Sequence, residues 1–165
     1  MADRGAALEA HRDAVRAFLT AARAVSPAGW DRPRAEGKWS AAQVADHIAL
    51  AYEAGCEALE GRSTGPAPPR LLRPVIRTLL LRPVLMLGRF PMRSKSPSAL
   101  QPAASPADAS SLLNRLQTAA TAFERRAAAN PSDSIDHPAF GRLALVDFIR
   151  LQEIHTAHHR SQLTL

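Results

Sequence analysis

One cysteine in 165 residues, Cys56, leaves nothing to pair with in an intramolecular disulfide and too few thiolates for a cysteine-based zinc site. Aromatic residues make up only 5% of the chain and glycines number only 8, a composition poor in the materials of strand-rich domains. No apolar run reaches bilayer length, because the most hydrophobic window, Thr78–Phe90, is cut by Arg82 and Pro83. Nor does a cationic patch followed by an apolar run open the sequence, so a soluble, cytoplasmic protein without a leader is expected. Lysine is nearly missing: Lys38 and Lys95 stand against 19 arginines.

What the chain does contain is Ala, Leu and Arg, all strong helix formers, spaced with a 3.6-residue period. The net charge of +6 raises the question of nucleic acid. The arginines, however, are spread along the chain and mixed with Asp and Glu, without the interleaved aromatics of a base-stacking surface. A basic solvated surface is the reading, with neither nucleic acid nor membrane as a partner.

At this length one domain is expected, spanning residues 1–165. Leu8, Val15, Phe18, Leu19, Ala22 and Val25 mark an amphipathic first helix from about Arg4 to Val25. Pro27, Gly29, Pro33 and Gly37 break it. Ser40 with Gln43 three residues on predicts a capping box, each side chain satisfying an otherwise unpaired backbone N–H, and a helix from Ala41 to about Leu59. Nine of the 13 prolines lie between Pro66 and Pro106. Pro66–Pro102 therefore reads as a long crossover with one or two short helices broken at Pro74 and Pro83. Its apolar residues are interspersed with Arg, but the prolines interrupt the continuous moment of a membrane-surface helix, and the segment 66–104 receives no role. Ser105 and Pro106 predict the next helix start, and Leu112, Leu113, Leu116, Ala120, Phe123 and Ala127 its buried face, ending before Asn130. After a loop, a last helix is expected from Ala144 to Leu163. The fold class is all-α, a four-helix bundle with a long crossover between its second and third helices.

Half of the six histidines crowd into one stretch, "EIHTAHHRSQL". Residues four apart on a helix project within about 40° of each other, so His155 and His159 share the inward face with Phe148 and Leu151. Two imidazoles at this spacing can bind one cation, or can be hydrogen-bonded core residues. His158 lies about 80° off that pair and reads as a flanking group, although a His155/His158 pairing satisfies the spacing as well. A third imidazole, His47, stands on another helix among the small residues Val44, Ala51 and Ala54, which leave a hollow beside it. Brought together across the bundle, His47, His155 and His159 would supply three neutral imidazoles to a divalent ion with positions open for water or substrate. Gln162 is placed to orient a ligand, whereas Asp46 and Glu153 are expected to face outward. Cys56, about 180° around the helix from His47, should be structural. His11 and His137 lack partners four residues away, with His137 at most on the rim of the pocket.

With these positions in place, the chain resembles the DinB-like (DinB/YfiT) superfamily. The resemblance rests on "GKWSAAQVADHIAL", on "HPAFGRLALVDFIRLQEIHTAHHRSQL" and on the helix order around them. It implies a metal held by His47, His155 and His159, zinc or nickel, in a bundle that often dimerises. Some relatives use a low-molecular-weight thiol such as bacillithiol or mycothiol as cosubstrate. The function expected on this basis is thiol-dependent transfer to small electrophiles. A metal-dependent hydrolase on the same site and a non-catalytic metal-binding or stress-associated bundle are the alternatives. The Arg- and Pro-rich middle segment departs from the superfamily's pattern, so the substrate is not carried over.

Overall fold

In the computed structural model, which describes residues 3–62, 68–91 and 96–163, four long helices carry the molecule. Helix α1 (Arg4–Arg23) starts on Asp3, whose carboxylate accepts from Gly5 N–H. A one-turn helix α2 (Pro27–Trp30) follows, capped by Ser26. Helix α3 (Ala41–Leu59) has the expected bounds, and both bonds of the Ser40/Gln43 capping box are made. The middle of the turn-rich connection after it, 63–67, lies outside the described residues.

The crossover is more helical than its prolines suggest. A single 3₁₀ turn (Arg70–Leu72) leads into α4 (Arg73–Ile76), a π-helical stretch (Arg77–Leu81) and α5 (Arg82–Leu87). Pro74 and Pro83 each fall in the first turn of a helical piece. Neither ends the helical path: the piece that holds Pro74 follows directly on a single 3₁₀ turn, and a π-helical stretch leads without a break into the turn that holds Pro83. Gly88, at φ 60°, does end it. A second 3₁₀ turn (Ser98–Leu100) precedes the next long helix.

That helix, α6 (Ala109–Ala129), begins later than the Ser105–Pro106 signal indicates. Asp108 is the cap, accepting from Ser111 N–H. The loop expected after α6 contains a β-hairpin, β1 (Ser134–His137) paired antiparallel with β2 (Gly141–Ala144) in the register Ser134↔Ala144 and His137↔Gly141. A three-residue turn joins the strands, and Gly141 closes it at φ 68°, a left-handed conformation suited to glycine. Helix α7 (Leu145–Arg160) completes the bundle.

Helix α1 packs along α7, and α3 along α6. Arg4 reaches Asn130 O and Asp133 at one end, and Arg12 pairs with Glu124, so α1 and α6 are antiparallel. Asp46 near the start of α3 meets Arg115 near the start of α6, and Glu60 at the end of α3 meets Arg126 near the end of α6, which makes those two helices parallel. The core centres on Phe18, Ile48, Tyr52, Leu116, Phe123, Phe148 and Ile149, all essentially inaccessible to solvent. Tyr52 O–H donates to Thr156 Oγ1 at 2.7 Å while Thr156 donates to Gln152 O, and Gln152 Nε2 donates to Ala51 O. This buried relay ties α3 to α7 close to the histidines, since Thr156 lies between His155 and His159 and Tyr52 five residues after His47. Among the described residues no helix is long and apolar enough to cross a membrane.

Candidate metal centre

The relay holds α3 and α7 side by side, with the start of one beside the end of the other. His47 stands two turns into α3, and His155 and His159 stand on successive turns near the end of α7, so the antiparallel pair brings all three to the same end of the bundle. One ring nitrogen of each lies within 4.8 Å of the other two. His47 Nε2 and His155 Nε2 are 3.1 Å apart. Rings of His47 and His159 meet edge to face with centroids 4.6 Å apart, and those of His155 and His159 at 4.7 Å.

Hydrogen bonds on the far side of two rings decide which nitrogen faces inward. His47 Nδ1 is 2.7 Å from Leu100 O, and a carbonyl only accepts, so Nδ1 carries the proton and Nε2 the lone pair. His159 Nδ1 likewise donates to Gln162 Oε1 at 3.0 Å. Gln162 Nε2 donates to His158 Nε2 at 3.1 Å, so one amide orients both neighbours. The lone pairs of His47 and His155 cannot face each other at 3.1 Å without a positive species between them, either a proton on His155 Nε2 or a cation. Two nitrogens on a tetrahedral zinc, each at about 2.0–2.1 Å, are separated by roughly 3.3 Å. The His47–His155 pair is already near that separation. Among the described residues three imidazoles and no carboxylate converge, a donor set that fits a divalent transition-metal ion, and the second bonds of His47 and His159, to a carbonyl and an amide, are the outer contacts such ligands need.

Burial keeps the rings neutral. It is the largest cause of the lowered pKa of His47, with the Leu100 carbonyl pulling the other way. It takes His159 down to about 3 and His155 well below the ordinary imidazole value, each lowered further by the neighbouring histidines. Neutral imidazoles are the form that ligates.

His158 stands beside the three, partly exposed, with Gln162 bonded to it and Phe90 at a centroid distance of 5.3 Å. His137 is not brought to the cluster. It sits on the hairpin by the start of α7, stacked on Phe140 and edge-on to Phe148, and its Nδ1 accepts from Ala139 N–H. His11 is buried among Tyr52 and Phe123 in the core. Cys56 is buried with its thiol pKa raised by burial, and it is remote from the histidines, as its position on α3 implies.

Asp46 does not face outward. It is 5% exposed, accepts from Arg115 Nη1 at 2.7 Å and from Ala103 N–H at 2.8 Å, and thereby ties the end of the crossover to α3 next to His47. The outward prediction fails because it used the helical angle of Asp46 without the returning crossover, which covers that flank. Three further contributors escape a reading of motifs. Trp39 places its ring 4.9 Å from His47 and 6.1 Å from His159. Phe90 lies 5.8 Å from His155. Leu100 supplies a backbone oxygen, which no residue type announces. For Trp39 a signal existed: it immediately precedes the cap of the helix that carries His47.

A family described as "Protein of unknown function (DUF1569)" matches residues 9–165. No curated protein matches the chain. Among solved structures, the chain is similar to one described as the crystal structure of TT2238, a four-helix bundle protein, with 23% identity, a TM-score of 0.57 and 96% of each chain covered. That likeness concerns the fold, and it agrees with the bundle described above.

Proposed function

We propose that this chain, which belongs to the DUF1569 family of proteins of unknown function, is a DinB-like metal-dependent enzyme in which His47, His155 and His159 hold a divalent ion, zinc or nickel. The reaction proposed is transfer of a small electrophilic group to a low-molecular-weight thiol of the bacillithiol or mycothiol kind. The observation that carries the reading is the convergence of three imidazoles, two of them with Nδ1 already committed to Leu100 O and Gln162 Oε1.

When bound, the ion supplies Lewis acidity, which lowers the pKa of a thiol or water at an open position. The protein's residues supply the rest. Leu100 O and Gln162 fix the ring orientations, and the rings of Trp39 and Phe90 cover the flanks and limit water. His158, held by Gln162 and partly exposed, is placed to meet substrate. In the transfer the thiol sulfur forms a bond to the electrophilic carbon, the leaving group departs with its electron pair, and the thiol proton goes to solvent. Among the described residues no carboxylate joins the three imidazoles, so an anionic thiolate is the charge the site would welcome.

Elemental analysis of protein purified without a polyhistidine tag, followed by a thiol-transfer screen with a chlorodinitrobenzene, tests the proposal. About one ion per chain is expected, with His47→Ala and His159→Ala each well below that. Unchanged occupancy in both variants would remove the site. Thiol-independent ester hydrolysis would assign the same centre to a hydrolase, and full occupancy without turnover to a non-catalytic metal-binding bundle.

A further inference from the structure

The even scatter of charge along the chain conceals one asymmetry. From Gly61 to Ala107 there is not one Asp or Glu, while Arg62, Arg70, Arg73, Arg77, Arg82, Arg89, Arg93 and Lys95 fall within it. Those 8 cations leave 13 basic against 15 acidic residues elsewhere, a net charge of −2, so the entire positive excess of the protein resides in the crossover.

The same segment holds every exposed large apolar side chain among the described residues. Leu71 is 90% exposed, Met86 84% and Leu79 67%, with Leu72, Val75, Leu80 and Leu87 about half exposed. Only Leu81 and Val84 turn fully inward, and α5 lies against α7. Arg73 and Arg77 bind the segment to the hairpin through Asp136 and Arg142 O. Arg70, Arg82 and Arg89 are exposed and make no side-chain hydrogen bond or ion pair among the described residues. A helical path continuous from Arg70 to Leu87 therefore presents leucines and unpaired guanidinium groups to solvent together. Prolines do not interrupt this face, because the helical path runs unbroken through Pro74 and Pro83.

We infer that the outer face of the crossover docks on an anionic lipid surface, independently of the metal reading and in place of the expectation that no membrane is a partner. Three observations select this occupant. Leucine and methionine insert among acyl chains, whereas a nucleic-acid surface would offer aromatic platforms. Free arginines beside them match anionic headgroups. A second copy of the chain would instead set the exposed Arg70, Arg82 and Arg89 against the same three arginines, which disfavours this face as a dimer interface.

The test is co-sedimentation of the full chain with phosphatidylcholine vesicles and with vesicles that also contain phosphatidylserine, at low and high salt. Two variants accompany it: Arg70→Gln/Arg82→Gln/Arg89→Gln and Leu71→Gln/Leu79→Gln/Met86→Gln, with far-ultraviolet circular dichroism as the check on folding. All six positions are exposed, so both variants should fold. Binding is expected only with phosphatidylserine, weakened by salt and by about five-fold per arginine removed, on the order of a hundred-fold for the triple variant. The apolar variant should lose sedimentation as well. The inference is overturned by absence of binding to anionic vesicles or by binding that neither variant alters. Retention of duplex DNA by the full chain without vesicle binding would overturn it in favour of nucleic acid. A dimer in sedimentation velocity that the apolar variant converts to monomer, without vesicle binding, would overturn it in favour of self-association.

Discussion

Replacing His11 by Leu should stabilise the protein, and the gain should widen as the solution is acidified. His11 is 1% exposed, edge-on to Tyr52 and beside Phe123, and neither ring nitrogen has a hydrogen-bond partner among the described residues. Burial is the largest cause that lowers its pKa from 6.5 to about 4. The sign follows from proton uptake. Below pH 6.5 the unfolded imidazole binds a proton, and the folded one does not until about pH 4, so stability is full above the window and falls on the way down through it. At about pH 5 this linkage costs about 2 kcal/mol, from RT times the logarithm of the two binding polynomials. Near neutrality, a buried polar group without a partner costs about 1–3 kcal/mol, and loss of the contact with Tyr52 returns about 0.5–1.5 kcal/mol. His11→Leu should thus gain about 1 kcal/mol near pH 7 and about 3 kcal/mol near pH 5. Other histidines held neutral by burial, His137 among them at about 4, titrate in both proteins and cancel in the difference. Urea unfolding followed by circular dichroism at both pH values measures it, provided the slope m is unchanged. A variant less stable near neutrality, with a gap that acid leaves constant, would show that the His11 nitrogens are satisfied in solution.

Gln162→Leu removes the acceptor of His159 Nδ1 and the donor to His158, so metal affinity measured by chelator competition should fall about 10–100-fold with little change in the unfolding midpoint. Asp46→Ala strands Ala103 N–H and leaves Arg115 with Glu53 alone; a loss of about 2–4 kcal/mol in urea unfolding is expected, with weaker metal binding as the Leu100 segment loosens. Gly55→Ala places a Cβ 2.9 Å from Gln152 Nε2 and 3.1 Å from the Phe123 ring, and overpacking of about 1–3 kcal/mol should outweigh the helix-propensity gain of up to about 1 kcal/mol, which thermal unfolding would register as a lower midpoint.

How much of this was legible depended on how far along the chain the determining contact lay. Helix α3 was readable to its ends because its start is a local hydrogen-bonded box between Ser40 and Gln43. The facing of His155 and His159 was readable because a helix repeats every few residues, and the inward stripe was marked by Phe148, which is buried as expected. The start of α6 was misplaced because Ser105–Pro106 and Asp108 are both chemically sound caps, and only packing chooses between them. The hairpin was missed because its strands are four residues each and lack apolar alternation. The crossover is the instructive case. Local rules treat each proline as a break, yet the helical path passes through both, changing from 3₁₀ to α at Pro74 and from π to α at Pro83. Its return past α3 is also what fixes the tautomer of His47 through Leu100 O, 53 residues away. Side-chain identity therefore nominated the three imidazoles, whereas their orientation depends on a backbone oxygen in the segment the sequence left without a role.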